Sequence, residues 1–166
     1  AAALEGRAFD LTVDFAAYDA ADVEGLLLVP YAALGRFILI STGQVYLVTT
    51  ARPPYAEAAS DSPLIPEPAP GTPDHGQWRY GTGKRRAEGA LRALAASHGV
   101  RALILRIPTV LGENDTSLRL WAYVERMRDG GPILLPDGGV KPLRFIDVRD
   151  IARALVGIAE RPRPPR

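Results

Sequence analysis

Tyr80 and Lys84 stand four residues apart in the stretch Gln77-Trp78-Arg79-Tyr80-Gly81-Thr82-Gly83-Lys84. Residues 80–98 read as a helix, and at 3.6 residues per turn positions four apart share a face. Ala87 and Leu91 continue the same stripe. The phenol and the ammonium therefore lie on the face that buries the helix, although charge belongs on the opposite side of an amphipathic helix. A Tyr titrates near 10 when unperturbed, so a fixed cation one turn away suits it to proton exchange at neutral pH. Such a cation can also hold a sugar hydroxyl of a bound cofactor. The spacing alone equally fits a Tyr at a helix start and a Lys snorkelling past an apolar stripe.

The elements needed to position this pair follow in order along the chain. Residues 9–17 (FDLTVDFAA) and 36–41 (RFILIS) are short apolar runs typical of buried strands. Between them, residues 19–34 read as a helix with Asp19 or Asp22 as cap, Pro30 as an interruption and Gly35 as terminator. Residues 51–75 are rich in proline and carry no periodicity, which suggests a lid or substrate loop. Residues 100–107 (VRALILRI) give a third buried strand. This order predicts an α/β fold with right-handed crossovers, a parallel sheet and helices on both faces. Ligands of such sheets bind beyond the carboxyl ends of the strands. Here those ends carry Ala16-Ala17, Ser41-Thr42 and Pro108-Thr109. Further on, residues 116–130 read as a helix capped by Asp115 or Thr116, 132–135 as a short strand and 137–139 as a turn. Residues 143–148 read as another strand and 150–160 as a last helix.

The composition narrows the chemistry. With 166 residues and 47% hydrophobic content, the chain is long enough for a real core. A formal net charge of +1 gives no basis for nucleic-acid or anionic-membrane binding. The absence of cysteine excludes disulfides, thiolate catalysis and zinc-cysteine sites, and His75 and His98 have no carboxylate at ligand spacing, so no metal is expected. No apolar run approaches the roughly 20 residues of a membrane span, nor does the start resemble a secretory signal, so a cytoplasmic setting is expected.

Four blocks together resemble the extended short-chain dehydrogenase/reductase family, the NAD-dependent epimerase/dehydratase group. Residues 10–18 (DLTVDFAAY) resemble its fourth strand, residues 37–46 (FILISTGQVY) its Ser/Thr-bearing strand end, Tyr80 and Lys84 its Y-x-x-x-K pair, and residues 106–112 (RIPTVLG) its R-P-x-x-V-x-G segment. A softer likeness covers residues 137–150 (DGGVKPLRFIDVRD). The resemblance implies a partial Rossmann-like domain over residues 1–112 and part of a small substrate-binding region over 113–166. It implies catalysis by Thr42, Tyr80 and Lys84, with NAD or NADP lying along Ala16, Ala17, Tyr80, Lys84 and Pro108. Thr42, Gln44 and Arg144 would meet the substrate, a nucleotide sugar or a related hydroxyl or keto compound, with Arg144 at the diphosphate.

The departures from the family are specific. Its opening G-x-x-G-x-x-G turn, whose backbone amides receive the pyrophosphate, does not occur in these residues. Gly81-Thr82-Gly83 lacks a third glycine at the right offset and is no Walker loop, because Trp78 stands at its first glycine position and Arg85 follows the Lys. Thr42 is followed by Gly43 and Gln44 where the dehydratase branch has Asp and Glu, which argues against sugar 4,6-dehydration. The chain thus looks like the middle of a longer enzyme. Alternatives are a non-catalytic binding module and one part of a split enzyme, with a homo-oligomer or a second chain completing the sheet. Asp147 and Asp150 read as a turn acid and a helix cap rather than as paired catalytic carboxylates. Asp74 reads as a cap, and Trp121 and Tyr123 as packing for their own helix.

Overall fold

The computed structural model describes residues 6–25, 34–140 and 143–161. They form two compact units that divide at Ile107 and Pro108, against the expected boundary after residue 112. The first unit contains a parallel sheet in the order β1-β2-β3, with β1 at Leu11–Asp14, β2 at Arg36–Thr42 and β3 at Arg101–Ile107. Leu11 pairs with Arg36, and Arg36 with Arg101. β1 is shorter than the expected strand because Asp14 turns the chain. Its carboxylate accepts from the amides of Ala16 and Ala17 at 2.7 and 2.9 Å, so both alanines lie beyond the strand.

Helix α1 (Ala20–Glu24) follows, capped by Asp19 with Asp22 closing a capping box. Both expected cap residues are therefore used. The rest of the helix expected over 19–34, including Pro30, lies in residues 26–33, outside the described residues. Gly35 takes a positive φ of 61°, and a side chain there would collide with the backbone of Phe9 and Asp10.

Helix α2 (Gln44–Leu47) is a single turn after β2, and α3 spans Pro73–His98. The start of α3 lies seven residues before the expected one. Thr72, not Asp74, is the cap, its hydroxyl accepting from the His75 amide at 3.2 Å, and Pro73 occupies the first turn, where no amide partner is needed. The apolar stripe begins only later, which is why periodicity alone starts the helix late. Alternation on β2 and β3 sends Phe37, Leu39, Ala102 and Ile104 to one face, where they pack with Val23 of α1 and Ala87, Leu91 and Leu94 of α3.

The expected loop over 51–75 is not without structure. It holds a short 3-10 turn at Glu57–Asp61 and an antiparallel bridge from Thr49 to Leu64. Trp78 Nε1 donates to the Ile65 carbonyl at 3.2 Å and His75 meets Glu67 at 3.0 Å, so the segment is tied to the head of α3.

The second unit pairs β4 (Thr109–Leu111) with β5 (Phe145–Asp147) in parallel. Strand β4 has no counterpart in the sequence reading, and residues 132–135 form no strand. Helix α4 covers Arg119–Arg128 and begins three residues later than expected, because Leu118 holds a positive φ of 53° ahead of it. It buries none of its residues, so Trp121 and Tyr123, each about half exposed, do not pack as expected. Helix α5 runs over Val148–Glu160, with Asp147 as its cap through the Arg149 amide at 2.8 Å. Asp150 lies in its first turn and pairs with Arg153. None of the described helices is long and apolar enough to cross a membrane.

Candidate functional site

The polar residues of α3 meet the carboxyl ends of the sheet. Lys84 is only 3% exposed, and its Nζ donates to the Ala17 carbonyl at 2.7 Å and the Ile40 carbonyl at 3.0 Å. One ammonium thus bridges the ends of β1 and β2. It also stands 4.9 Å from the centroid of the Tyr18 ring, the geometry of a cation over an aromatic face. Burial pushes its pKa below the ordinary value of 10.5, while Asp14, Asp22 and Glu88 act in the opposite sense.

The sign of this shift is testable. A lysine whose folded pKa lies below its unfolded value favours the uncharged amine, so its share of stability grows as pH rises toward 10.5. The chain has two lysines, Lys84 and Lys141. An NMR titration of labelled lysine side chains will show one amine titrating below the ordinary value, and two midpoints at or above it would contradict this placement.

Tyr80 lies one turn before Lys84, half-buried, with its ring centroid 5.9 Å from that of Tyr18. A cleft of about 340 Å³ opens beside it, lined by Tyr18, Asp19, Arg79, Tyr80, Gly83 and Arg86 among others. The glycines between Tyr80 and Lys84 serve close packing and not phosphate binding. A Cβ at Gly81 would lie 2.6 Å from Val48 Cγ1 and 2.9 Å from the Gln44 carbonyl oxygen, and one at Gly83 would lie 2.5 Å from the Tyr18 carbonyl oxygen. Gly81 therefore lets α3 sit on the turn after Thr42, and Gly83 lets it sit on the end of the β1 connection. The second obstacle is backbone and cannot swing aside, so Gly83→Ala will destabilise the chain by roughly 1–3 kcal/mol. A denaturation midpoint equal to the wild type's would show that the close approach is dispensable.

Thr42 is the last residue of β2, and its Oγ1 accepts from the Gln44 amide at 3.2 Å. It does not line the cleft beside Tyr80. Ala17 is buried in the core and Ala16 is exposed, and both amides are occupied by Asp14. Pro108 and Arg144 belong to the second unit, where Arg144 is exposed. Among the described residues no group of His, Asp and Glu is arranged to hold a metal ion.

A cofactor of the dinucleotide kind can be tested against these donors. Tyr80 lines the cleft, while Lys84, 3% exposed and with two of its three N–H groups on the Ala17 and Ile40 carbonyls, has at most one donor left for a ribose hydroxyl. The pyrophosphate has no matching cradle among the described residues, since the amides of Ala16 and Ala17 are already satisfied and no glycine-rich turn precedes a helix here.

Sequence reading did not pair Glu88 with Arg106. Glu88 lies one turn past Lys84 and is 1% exposed. Arg106 donates to both its oxygens, from Nε to Oε1 at 2.9 Å and from Nη2 to Oε2 at 2.6 Å. The Ser41 hydroxyl donates to Glu88 Oε1 at 2.6 Å. Arg106 also donates to the Tyr46 hydroxyl, the Glu57 carbonyl and the Ser60 hydroxyl at 2.7–2.8 Å, so it fastens the 3-10 turn to the sheet. The signal was in the periodicity: Glu88 continues the Tyr80–Lys84 stripe, and Arg106 continues the core face of Ala102 and Ile104. Two opposite charges on faces that should be apolar imply each other.

No curated protein matches the chain. Among solved structures, a dTDP-glucose 4,6-dehydratase from Streptomyces venezuelae, solved with NAD bound, is similar with a TM-score of 0.63 and 24% identity, over 93% of this chain and 50% of that one. A UDP-glucuronic acid 4-epimerase from Bacillus cereus, in complex with UDP-glucuronic acid and NAD, gives 0.57 and 22%, over 87% of this chain and 40% of that one. A UDP-N-acetylglucosamine 4-epimerase from Methanobrevibacter ruminantium gives 0.61 and 20%, over 87% and 44%. These likenesses show a Rossmann-like fold, and the chain spans half or less of the length of each. The family model for the NAD dependent epimerase/dehydratase family matches residues 14–166, and the chain belongs to that family.

Proposed function

We propose that this chain carries the proton-transfer centre of an NAD(P)-dependent epimerase, reductase or related enzyme acting on a nucleotide sugar. The observation that carries the reading is Lys84, a buried ammonium tied to the ends of two parallel strands with Tyr80 one turn away. Burying a charge is costly unless it is hydrogen-bonded, and packing alone gives no reason to place a lysine there. In this reading Tyr80 exchanges the proton of the reacting hydroxyl, and Lys84 supplies the fixed cation and holds the nicotinamide ribose. The role of Thr42 at the reacting oxygen rests on the family resemblance, since Thr42 stands at the end of β2 outside the cleft lining. The cofactor, when bound, supplies hydride chemistry, while the protein orients and polarises. Ala16 borders the cofactor in this reading, and Gln44 contacts the substrate. Gly43 and Gln44 in place of the acidic pair favour epimerisation or reduction over 4,6-dehydration. The named substrates of the similar enzymes support a nucleotide sugar. A cytoplasmic location belongs to the proposal, because NAD(P) and nucleotide sugars are made there.

A partner for the sheet is part of the same reading. Among the described residues β1 is an edge strand with no neighbour on its outer side, and such an edge pairs readily with another strand. A glycine-rich strand-helix turn, supplied by another part of the same polypeptide or by a second chain, would complete both the sheet and the pyrophosphate site. Residues 1–166 alone will therefore bind NADH only weakly, because the pyrophosphate needs oriented backbone amides. Calorimetric titration with NADH tests this, and micromolar binding to a monomer of these residues would contradict it.

A further inference from the structure

Tyr18 has no part in the proton transfer described above, yet it lines the cleft beside Tyr80. Tyr18 is 59% exposed, so its contacts with Lys84 and Tyr80 leave more than half of it open to solvent. Its backbone is held on three sides. The Tyr18 amide donates to Asp22 Oδ2 at 2.8 Å, and its carbonyl oxygen closes on Gly83 of α3. The next residue, Asp19, caps α1 and is gripped by Arg86, whose Nε donates to Asp19 Oδ1 at 2.8 Å. A rigid frame therefore displays the Tyr18 ring beside the Tyr80 ring, the two planes inclined at 52°. The Lys84 ammonium stands 4.9 Å from the Tyr18 ring centroid on one face, and the rest of the ring is open to solvent. Arg79 and the Asp19–Arg86 pair supply polar groups around the same cleft. Small-molecule sites combine these parts: an apolar aromatic wall and a few placed polar groups.

We propose that Tyr18 is a substrate-contacting residue, the wall against which the pyranose of a nucleotide sugar lies while one of its hydroxyls meets Tyr80. A pyranose carries C–H groups on its faces and hydroxyls around its edge. The face suits the Tyr18 ring, which is apolar in its body, and the edge suits Tyr80, Arg79 and the Asp19–Arg86 pair. The inference rests on reading Tyr80 as the proton-transfer group and adds the surface that orients the sugar toward it.

Saturation-transfer NMR on the polypeptide as its gene encodes it, with any partner it recruits, using UDP-glucose and separately NADH, tests the assignment. The wild-type chain will transfer saturation to the pyranose ring protons. Tyr18→Ala will cut that transfer roughly fivefold, the loss expected for an aromatic anchor, and Tyr18→Phe will keep most of it because the ring remains. Equal transfer in Tyr18→Ala would overturn the proposal, as would absence of pyranose saturation in the wild type. Loss confined to the nicotinamide protons of NADH would also overturn it, since the ring would then serve the cofactor. Tyr80→Phe separates this from the proton-transfer reading. It keeps the ring, so pyranose saturation persists in that variant whatever its turnover.

Discussion

Glu88→Ala will destabilise the chain by about 3–5 kcal/mol, the usual result of removing one partner of a buried ion pair. The carboxylate is 1% exposed and receives Arg106, Ser41 and Arg92 together. Its removal leaves the Arg106 guanidinium, which is itself mostly buried, without its anion, and the Ser41 hydroxyl without an acceptor. Domains of this size have only about 5–15 kcal/mol of net stability, so a loss of this size removes a large fraction of it. Urea unfolding followed by circular dichroism reads it directly. A loss within about 0.5 kcal/mol, the range of ordinary surface substitutions, would show that the cluster is incidental. The cluster touches Ser41, immediately before Thr42, and fastens the 3-10 turn of residues 57–61 through Arg106. The damage should therefore include local opening of that turn.

The parts of this fold legible in the sequence were those marked by side-chain pattern. Apolar runs located β2 and β3 within a residue or two, and the stripe of Tyr80, Lys84, Ala87 and Leu91 correctly put a lysine on the buried face of α3. What the pattern could not show is where that lysine goes. Its acceptors are the carbonyls of Ala17 and Ile40, and a backbone acceptor leaves no trace in residue identity. Tyr18 was hidden for a related reason, since its position beside Tyr80 follows from Gly83 admitting its carbonyl and from the Asp19–Arg86 pair, both of them long-range. Local chemistry misled at Asp74, which sits where an acidic cap would serve, while Thr72 with Pro73 behind it does the capping. In the second unit, Trp121 and Tyr123 fitted an apolar helix face by spacing, but spacing cannot say whether a face finds a partner, and α4 buries none of its residues.

Tyr80→Phe is the second large effect. It deletes one hydroxyl and leaves the ring, its contact with Tyr18 and the close seat at Gly81, so the fold and the cofactor affinity should change little. General acid-base catalysis contributes roughly 10²–10⁴-fold, and that factor should vanish from kcat while KM stays near its original value. Lys84 substitutions will behave differently. They remove a buried bridge between β1 and β2 as well as a cation, so they lower stability, cofactor affinity and rate together.

The role of Tyr80 is the central claim, and turnover of the Tyr80→Phe variant tests it most directly. The polypeptide as its gene encodes it, with any partner it recruits, is assayed with NAD(P) and nucleotide sugars at saturation. A fall in kcat of roughly 10²–10⁴-fold, with cofactor binding preserved, is the predicted result. Near-normal turnover in that variant would contradict the account.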